Sequence, residues 1–261
     1  MFDLSGRHAL VCGSSQGIGR ASAELLARCG ARITLLARDE AALAEVCRGL
    51  HAVKGTAHAF RAADFRRPED VRRTAAEIVE QVGPVEILVN NTGGPSSGPI
   101  LDARPEAFLE AATMHIACNQ LLVQTCVPGM RQRGYGRIIN IISTSVKQPI
   151  PGLGVSNTTR WAVAAWAKTL AGELGPFGIT VNNVLPGFTS TARLRSLFEA
   201  RSRREGIPVE QIEATAKAEI PLRRFATPEE IAAGVVFLAS PAASYVNGIN
   251  LPVDGGRLST L

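Results

Sequence analysis

The stretch VCGSSQGIGR, residues 11–20, decides the fold class of this chain. It joins an apolar run, HALVC, to a segment with helical periodicity, and its three glycines follow the spacing G-x3-G-x-G. Glycine permits a tight turn there and lets the backbone approach a pyrophosphate, while the start of the following helix presents free N–H groups and partial positive charge. This position between a strand and a helix predicts a dinucleotide-binding βα unit, and an ordinary βα turn is the alternative.

Six further apolar runs follow the first one: RITLLA, HAFRAAD, VEILVNN, RIINIIS, TVNNVLP and INLPVDGG. Between them lie amphipathic segments with helix-start signals, such as DEAALAEVCRGL and PEDVRRTAAEIVEQV. This alternation predicts an α/β fold, a single doubly wound Rossmann-type domain over residues 1–261 with a parallel sheet of about seven strands and helices on both faces. Residues 187–222 break the rhythm, and we expect a substrate-capping insertion of one or two helices there.

Composition argues against several other classes of protein. The chain has a formal net charge of +5, and its arginines cluster locally without interleaved aromatic residues. This pattern favours solvated helix faces over a nucleic-acid surface. Five cysteines form no CxxC pair, so we interpret them as buried free thiols of a cytoplasmic protein. The longest apolar runs are too short to span a bilayer, so no membrane partner is expected, and no residue pattern predicts a metal site.

Four later motifs complete the pattern that the glycine-rich turn begins. They are NNTGG at 90–94, Ser143 after the fifth apolar run, NNVLPGFTST at 182–191 and VDGG at 253–256. With them the chain resembles the short-chain dehydrogenase/reductase family, and in particular its 3-oxoacyl-ACP-reductase-like members, over nearly its whole length. The resemblance implies a small-molecule substrate, and a homotetramer formed through the helices at about 105–131 and 157–174.

The resemblance also implies a set of cofactor contacts. The phosphates would be held by Gly13, Ser15, Gln16, Gly17, Ile18 and Gly19, and the other contacts would come from Asp64 and Phe65 at the adenine, Asn91 and Gly93 at the ribose, and Thr189 and Thr191 at the nicotinamide and phosphates. Arg38 follows the second strand, where an acid would select NAD, and a guanidinium suits the 2′-phosphate of NADP. NADP is therefore the expected cofactor, unless Arg38 is a surface residue paired with Asp39 or Glu40.

The catalytic positions of the family are altered in this chain. Family members use a Ser, a Tyr thirteen residues later and a Lys four residues after that, often with an Asn 28 residues before the Ser. Counted from Ser143, these positions hold Ser156, Arg160 and His115. An aliphatic hydroxyl is far less acidic than a phenol, and arginine is a poor proton carrier because its pKa stays above about 12. Arg160 could still hydrogen-bond the nicotinamide ribose, as the family's Lys would.

Two titratable residues are candidate proton carriers in place of the missing phenol. His115 has a suitable intrinsic pKa, and we expect it to titrate near neutral pH. Its alternative role is that of a helix histidine bonded to the backbone. Lys147 lies four residues after Ser143 on the loop expected to wall the substrate pocket, and its alternative role is that of a solvated loop lysine.

These observations leave three functions open. The first is an NADP-dependent oxidoreductase that acts on a carbonyl or alcohol through an atypical active site. The second is a catalytically silent NADP-binding sensor or scaffold, and the third is a lyase or isomerase that uses His115 or Lys147. The substrate itself cannot be inferred, although the capping segment offers candidate contacts: Leu194, Leu197 and Phe198 for an apolar group, and Arg193 and Arg195 for an anionic one.

Overall fold

The computed structural model describes residues 2–52 and 57–260. The strands are β1 His8–Cys12, β2 Arg32–Ala37, β3 Ala59–Ala62, β4 Ile87–Asn90, β5 Gly136–Ile141, β6 Ile179–Pro186 and β7 Asn250–Val253. The helices are α1 Gly17–Arg28, α2 Glu40–Gly49, α3 Pro68–Gln81, α4 Pro105–Ala112, α5 Cys118–Arg133, α6 Gly154–Leu174, α7 Ala192–Glu205, α8 Val209–Ala218 and α9 Pro228–Ala239. Each of the seven apolar runs therefore contains a strand, as predicted.

The seven strands form one parallel sheet in the order β3-β2-β1-β4-β5-β6-β7. The strand order reverses between β1 and β4. From β1 the chain adds β2 and β3 on one side, and it then crosses back to add β4 and the later strands on the other side. In open sheets of this kind, ligands bind outside the carboxyl ends of the strands at such a reversal. The glycine-rich turn follows β1 and the NNTGG motif begins at the end of β4, so both lie at this point.

Helices cover both faces of the sheet, which confirms the predicted doubly wound architecture. The first core contains α1, α2 and α9, with Leu26, Leu43 and Val235 fully buried against strands β1, β2 and β4. On the other side, α3, α5 and α6 contribute residues such as Ile78 and Leu122 to a second core. Small alanines at many contacts let these helices approach the sheet closely.

A row of asparagines crosses the four neighbouring strands β4, β5, β6 and β7. Asn90, Asn140, Asn183 and Asn250 stand opposite one another in register, and each amide nitrogen donates to the next side-chain oxygen at 2.8–2.9 Å. Amide side chains inside apolar strands are costly unless they are hydrogen-bonded. Hydrogen bonds along the asparagine row satisfy most of these amide groups and link β4 to β7, whereas the buried Oδ1 of Asn90 has no hydrogen-bond partner among the described residues.

Helices α7 and α8 form the segment inserted before α9. They pack on each other through a small core that includes Leu194, Phe198 and Ile212. The ring of Phe198 lies 5.9 Å from that of Phe188 and 5.7 Å from that of Phe225. The expectation that Leu194 and Phe198 contact the substrate is therefore wrong, because both side chains hold the insertion together.

Two further expectations were tested by the fold. All five cysteines are free, but only Cys12, Cys118 and Cys126 are buried, whereas Cys29 and Cys47 are partly exposed, so their predicted burial is wrong. In the described ranges we find no helix with the length and apolar character that crossing a membrane requires.

Candidate active site

The glycine-rich turn is packed against the loop that follows β4. The side-chain nitrogen of Asn91 donates to the carbonyl oxygens of Cys12 at 3.2 Å and Gly13 at 3.3 Å. A Cβ on Gly13 would lie 2.7 Å from that nitrogen, and a Cβ on Gly19 would collide with the Gly13 carbonyl. Gly13 also has a φ of +58°, a conformation that favours glycine. Both positions therefore need glycine for the turn to close.

The start of α1 is suited to an anion. Gln16 precedes the helix in an extended conformation, its side chain makes no capping hydrogen bond, and the first turn carries no acid. The N–H groups of the first turn thus keep their capacity to bind phosphate oxygens. Thr191 approaches from the loop after β6, since a Cβ on Gly17 would lie 3.4 Å from its methyl group. The glycine-rich turn, α1 and this loop form one cradle.

The two residues after β6 that were predicted to contact the cofactor, Thr189 and Thr191, form hydrogen bonds within the chain. The Thr189 hydroxyl is buried and donates to the Gly187 carbonyl at 3.1 Å. Thr191 caps α7, with its hydroxyl oxygen accepting a hydrogen bond from the Leu194 N–H at 3.3 Å. Gly93 has open space around its Cα, and Ser15 and Ile18 lie within the cradle.

The residues expected at the adenosine end lie after β2 and β3. Arg38 is exposed, and within the described residues it forms no ion pair. In the described ranges neither Asp39 nor Glu40, the alternative partners, is ion-paired with Arg38, and Asp39 caps α2 by accepting a hydrogen bond from the Ala42 N–H. Asp64 is ion-paired with Arg66 at 3.1 Å, and the Phe65 side chain is buried in the second core.

The turn after β5 brings Ser143 beside the start of α6. The hydroxyl oxygen of Ser143 accepts a hydrogen bond from the Ser145 N–H at 3.0 Å. The Trp161 indole of α6 donates to the Ser145 carbonyl at 2.9 Å, and Asn157 bonds the backbone of Ile150 at 2.9 Å. Asn157 and Trp161 thus hold the loop that contains Lys147, and Ser156 lies half-buried in the first turn of the same helix.

Arg160 extends from α6 toward the end of β5. Its Nη1 donates to the Ile141 carbonyl at 3.0 Å, its Nε has no hydrogen-bond partner, and the residue is only 8% exposed. Burial, together with the positive charge of Arg193, lowers the pKa of Arg160 to about 10. The expectation of a pKa above about 12 is thus corrected, but the guanidinium still keeps its charge at neutral pH.

His115 lies in a π-helical turn, Thr113–Ala117, between α4 and α5. The residue is 2% exposed and its Nε2 has no hydrogen-bond partner. Burial lowers its pKa well below the usual value, the charge of Arg160 acts in the same direction, and the backbone of Gly93 opposes the shift. The expectation that His115 titrates near neutral pH is therefore wrong, because the fold keeps the imidazole neutral.

Ser14 is a residue of the site that the sequence analysis did not identify, and of the two arginines that it named for an anionic group only Arg193 reaches the loop after β4. Ser14 is buried and its hydroxyl accepts a hydrogen bond from the Leu36 N–H at 3.1 Å, which ties the glycine-rich turn to β2. Arg193 reaches the loop after β4, where it donates to the Pro95 carbonyl, whereas Arg195 is ion-paired with Glu199 on the helix surface. No local signal distinguishes these two arginines, because both lie in the same exposed-looking helical pattern.

Comparisons with known proteins extend over the whole chain. A family model described as enoyl-(acyl carrier protein) reductase matches residues 13–257. The 3-oxoacyl-[acyl-carrier-protein] reductase FabG of Vibrio cholerae is 33% identical over 255 residues, which are 98% of each chain. The D-beta-hydroxybutyrate dehydrogenase of Cupriavidus necator is 33% identical over 260 residues, covering 97% of this chain and 98% of its own.

A solved structure agrees with these relatives. The structure of L-sorbose reductase from Gluconobacter frateurii, complexed with NADPH and L-sorbose, is similar with a TM-score of 0.92 and 35% identity, and covers 100% of this chain and 99% of its own. Sequence and fold thus point to the same group of proteins along the entire length. The chain belongs to the short-chain dehydrogenase/reductase family of NAD(P)-dependent oxidoreductases.

Proposed function

We propose that the protein is an NADP-dependent oxidoreductase that acts on a carbonyl or alcohol group. The observation that carries the proposal is the cradle at the end of β1. Gly13 and Gly19 leave no room for side chains there, and α1 begins without a side-chain cap. Such a cradle fits a pyrophosphate. When bound, NADP(H) supplies or accepts the hydride, so the reaction requires of the protein mainly orientation and charge.

Arg38 supports the choice of NADP over NAD. Its guanidinium lies after β2, where a ribose-binding acid would otherwise stand, and it is exposed without an ion pair in the described part of the chain. A guanidinium in this place binds the 2′-phosphate that distinguishes the two cofactors. NADPH in the similar L-sorbose reductase structure agrees with this choice.

The reacting group would lie among Ser143, Ser156, Arg160 and His115. The two hydroxyls would hydrogen-bond the substrate oxygen, and Arg160 would stabilise negative charge on it, since the guanidinium stays charged at neutral pH. Neutral His115 offers an unpartnered Nε2 beside this cation, while Lys147 would line the rim. In this arrangement the fixed positive charge would stabilise the negative oxygen that hydride transfer leaves, and the proton that completes the alcohol would come from solvent, since neither Arg160 nor neutral His115 gives one readily at pH 7.

Helices α7 and α8 would cap the substrate. They are held to the rest of the fold through Phe188 and Phe225, and Thr191 at the start of α7 touches the cradle. The named relatives act on an acyl-carrier thioester, a hydroxybutyrate and a sugar, so no one substrate is carried over. The chemistry they share is a carbonyl or an alcohol.

Cofactor binding tests the first part of the proposal. Titration followed by nicotinamide fluorescence is expected to show that NADPH binds about tenfold more tightly than NADH, because charge-assisted contacts to a phosphate are worth more than 1 kcal/mol. Arg38→Ala is expected to abolish the preference. Arg48→Ala removes another exposed arginine, on α2, and is expected to preserve it. Equal affinity of the parent protein for the two cofactors would contradict the assignment.

Turnover tests the second part. NADPH oxidation would be measured against aldehydes, ketones and 3-oxoacyl thioesters, with Ser156→Ala and Ser143→Ala as variants. Turnover that both variants weaken while NADPH affinity is unchanged would support the assigned positions. Tight NADPH binding without turnover on any substrate would favour the silent sensor or scaffold.

A further inference from the structure

We propose that the substrate carries a carboxylate, held between Arg160 and Arg193 at the loop that follows β4. The proposal rests on the function proposed above and names the substrate class of the same site. It is based on the geometry and charge of these two arginines and on the chain around them.

Both guanidinium groups converge on Gly94. A Cβ built on this glycine would lie 3.3 Å from Nη2 of Arg193 and 3.7 Å from Nη2 of Arg160. The two nitrogens are therefore separated by no more than the sum of these distances, although the residues lie on different helices, α7 and α6. A carboxylate that lies against Gly94 would accept a hydrogen bond from each of them.

No acid compensates the two charges. In the described ranges neither Arg160 nor Arg193 forms an ion pair, whereas Arg195 and Arg201 on α7 each pair with a glutamate four residues later. Arg160 is more than nine-tenths buried and its Nε has no partner. Arg193 is itself exposed, but its charge acts on the buried guanidinium of Arg160, and a bound anion would offset both the desolvation of Arg160 and the repulsion between the two charges.

The anion is expected on the Gly94 side of Arg160. The gap beside Arg160 that is lined by His115, Asn119 and Val163, together with residues at the end of β4 and β5, has no room for a water molecule. His115 cannot supply a negative charge and, being neutral, does not add a positive one. We therefore place the anion where Arg160 and Arg193 both approach Gly94.

A carboxylate suits the donors that remain. Nη1 of Arg160 is engaged by the Ile141 carbonyl, and Arg193 already donates to the Pro95 carbonyl. The few remaining N–H groups match two oxygens in a plane better than the three of a phosphate. Ile141 lies two residues before Ser143, so the anion would be held near the reacting group. The substrate class is thus an oxo or hydroxy carboxylic acid.

Calorimetry on the NADP⁺-saturated protein tests this assignment. The probes are pyruvate, levulinate and benzoylformate, each compared with its own methyl ester, which keeps the carbonyl and removes the charge. We expect at least one acid to bind about tenfold or more tightly than its ester, as charge-assisted hydrogen bonds predict. Arg193→Gln is expected to abolish the difference, Arg193→Lys to restore part of it, and Arg201→Gln, on the same helix, to leave it unchanged.

The following outcomes would contradict either the carboxylate site or the proposed function. No acid binding better than its ester, an unchanged preference in Arg193→Gln, or inorganic phosphate binding more tightly than every acid would overturn the proposal. So would acids that displace NADPH, because the arginines would then serve the cofactor phosphates. NADPH binding is measured separately by fluorescence. If it fails, the proposed function fails, and the same acid and ester pairs are then compared on the cofactor-free protein.

Discussion

Arg160 and His115, at two of the positions proposed for catalysis, have unusual acid–base properties in the fold. Burial and the nearby Arg193 lower the pKa of Arg160 to about 10, which leaves a permanent cation at neutral pH. Burial and Arg160 hold His115 in its neutral form. The site therefore combines a fixed positive charge with a neutral imidazole, and neither group exchanges protons readily at pH 7. If the enzyme turns over, titration of these two groups should contribute little change to its rate between pH 6 and 8.

His8 is a second buried histidine, far from the candidate active site, and the effect of burial on its pKa can be tested through the stability of the protein. It is 5% exposed, its Nε2 is 2.8 Å from the Thr34 hydroxyl, and burial lowers its pKa to about 4. The folded state thus favours the neutral ring, so the stabilisation is complete above the unfolded pKa of about 6.5 and is lost as the pH falls toward 4. The difference between the folded and the unfolded pKa values of His8 corresponds to about 3 kcal/mol of unfolding free energy.

Urea unfolding at pH 7, 6, 5 and 4 measures this effect. The parent protein is expected to lose stability faster than His8→Gln over this range, although the variant is weaker at pH 7 because it loses hydrogen bonds. His51→Gln, which removes an exposed imidazole, is the matched control and should follow the parent. Parallel curves for the parent and His8→Gln would refute the assignment.

Among the elements, the long helix after the β4 loop is interrupted by a π-helical turn that carries His115. Turns of this kind rotate the following residues and are frequent at functional sites.

The main polar feature inside the sheet is the asparagine row across β4, β5, β6 and β7. It supports the strand ends from which Asn91 and Ser143 follow, so the geometry of the cleft depends on hydrogen bonds beneath it.

The asparagine row predicts a graded loss of stability. Asn140 is 1% exposed and bonds both Asn90 and Asn183, so Asn140→Ala leaves a buried donor and a buried acceptor without partners. We expect a loss of about 2–4 kcal/mol of unfolding free energy. Asn250→Ala, at the half-buried end of the row, breaks one such bond and should cost about 1 kcal/mol. Denaturant unfolding at pH 7 compares them, and equal losses would show that the row does not act as described.

For the whole molecule, the cleft is formed by segments from distant parts of the chain. The turns after β1, β4, β5 and β6 meet at one edge of the sheet, and α7 closes the edge with Arg193. Contacts such as Asn91 to Gly13 join segments that are 78 residues apart. The cradle and the proposed carboxylate site therefore form only when the sheet is complete.

The exposed apolar surface near α4 and α6 supports the predicted homotetramer. Leu101 is 93% exposed, Leu109 69% and Trp161 50%, and all three lie in or beside the helices expected at the interface. Light scattering after size exclusion is expected to give four times the mass of one chain. Leu109→Glu should dissociate the assembly, because a charge in an apolar interface is costly, whereas Phe2→Glu should not. A parent protein that elutes as a monomer would exclude this interface.

Local features of the sequence were sufficient for much of the architecture. The seven strands and the glycine-rich turn were predicted because strand periodicity, helix-start signals and glycine spacing act over a few residues. Counting along the chain from Ser143 assigned positions 115, 156 and 160 to the candidate site, and their catalytic roles stay a prediction. Four asparagines inside apolar runs were a visible signal for the row across the sheet, but their pairing depends on strand order and register.

Only the tertiary structure decided how the side chains are used. An apolar face on α7 looks the same whether it meets a substrate or, as Leu194 and Phe198 do, its own small core. Arg193 and Arg195 look alike in sequence, yet one reaches Gly94 and the other pairs with a surface glutamate. The neutral state of His115 also depends on Arg160, 45 positions away in the chain. Desolvation and charge act through space, and the distances between these groups are set by the folded sheet.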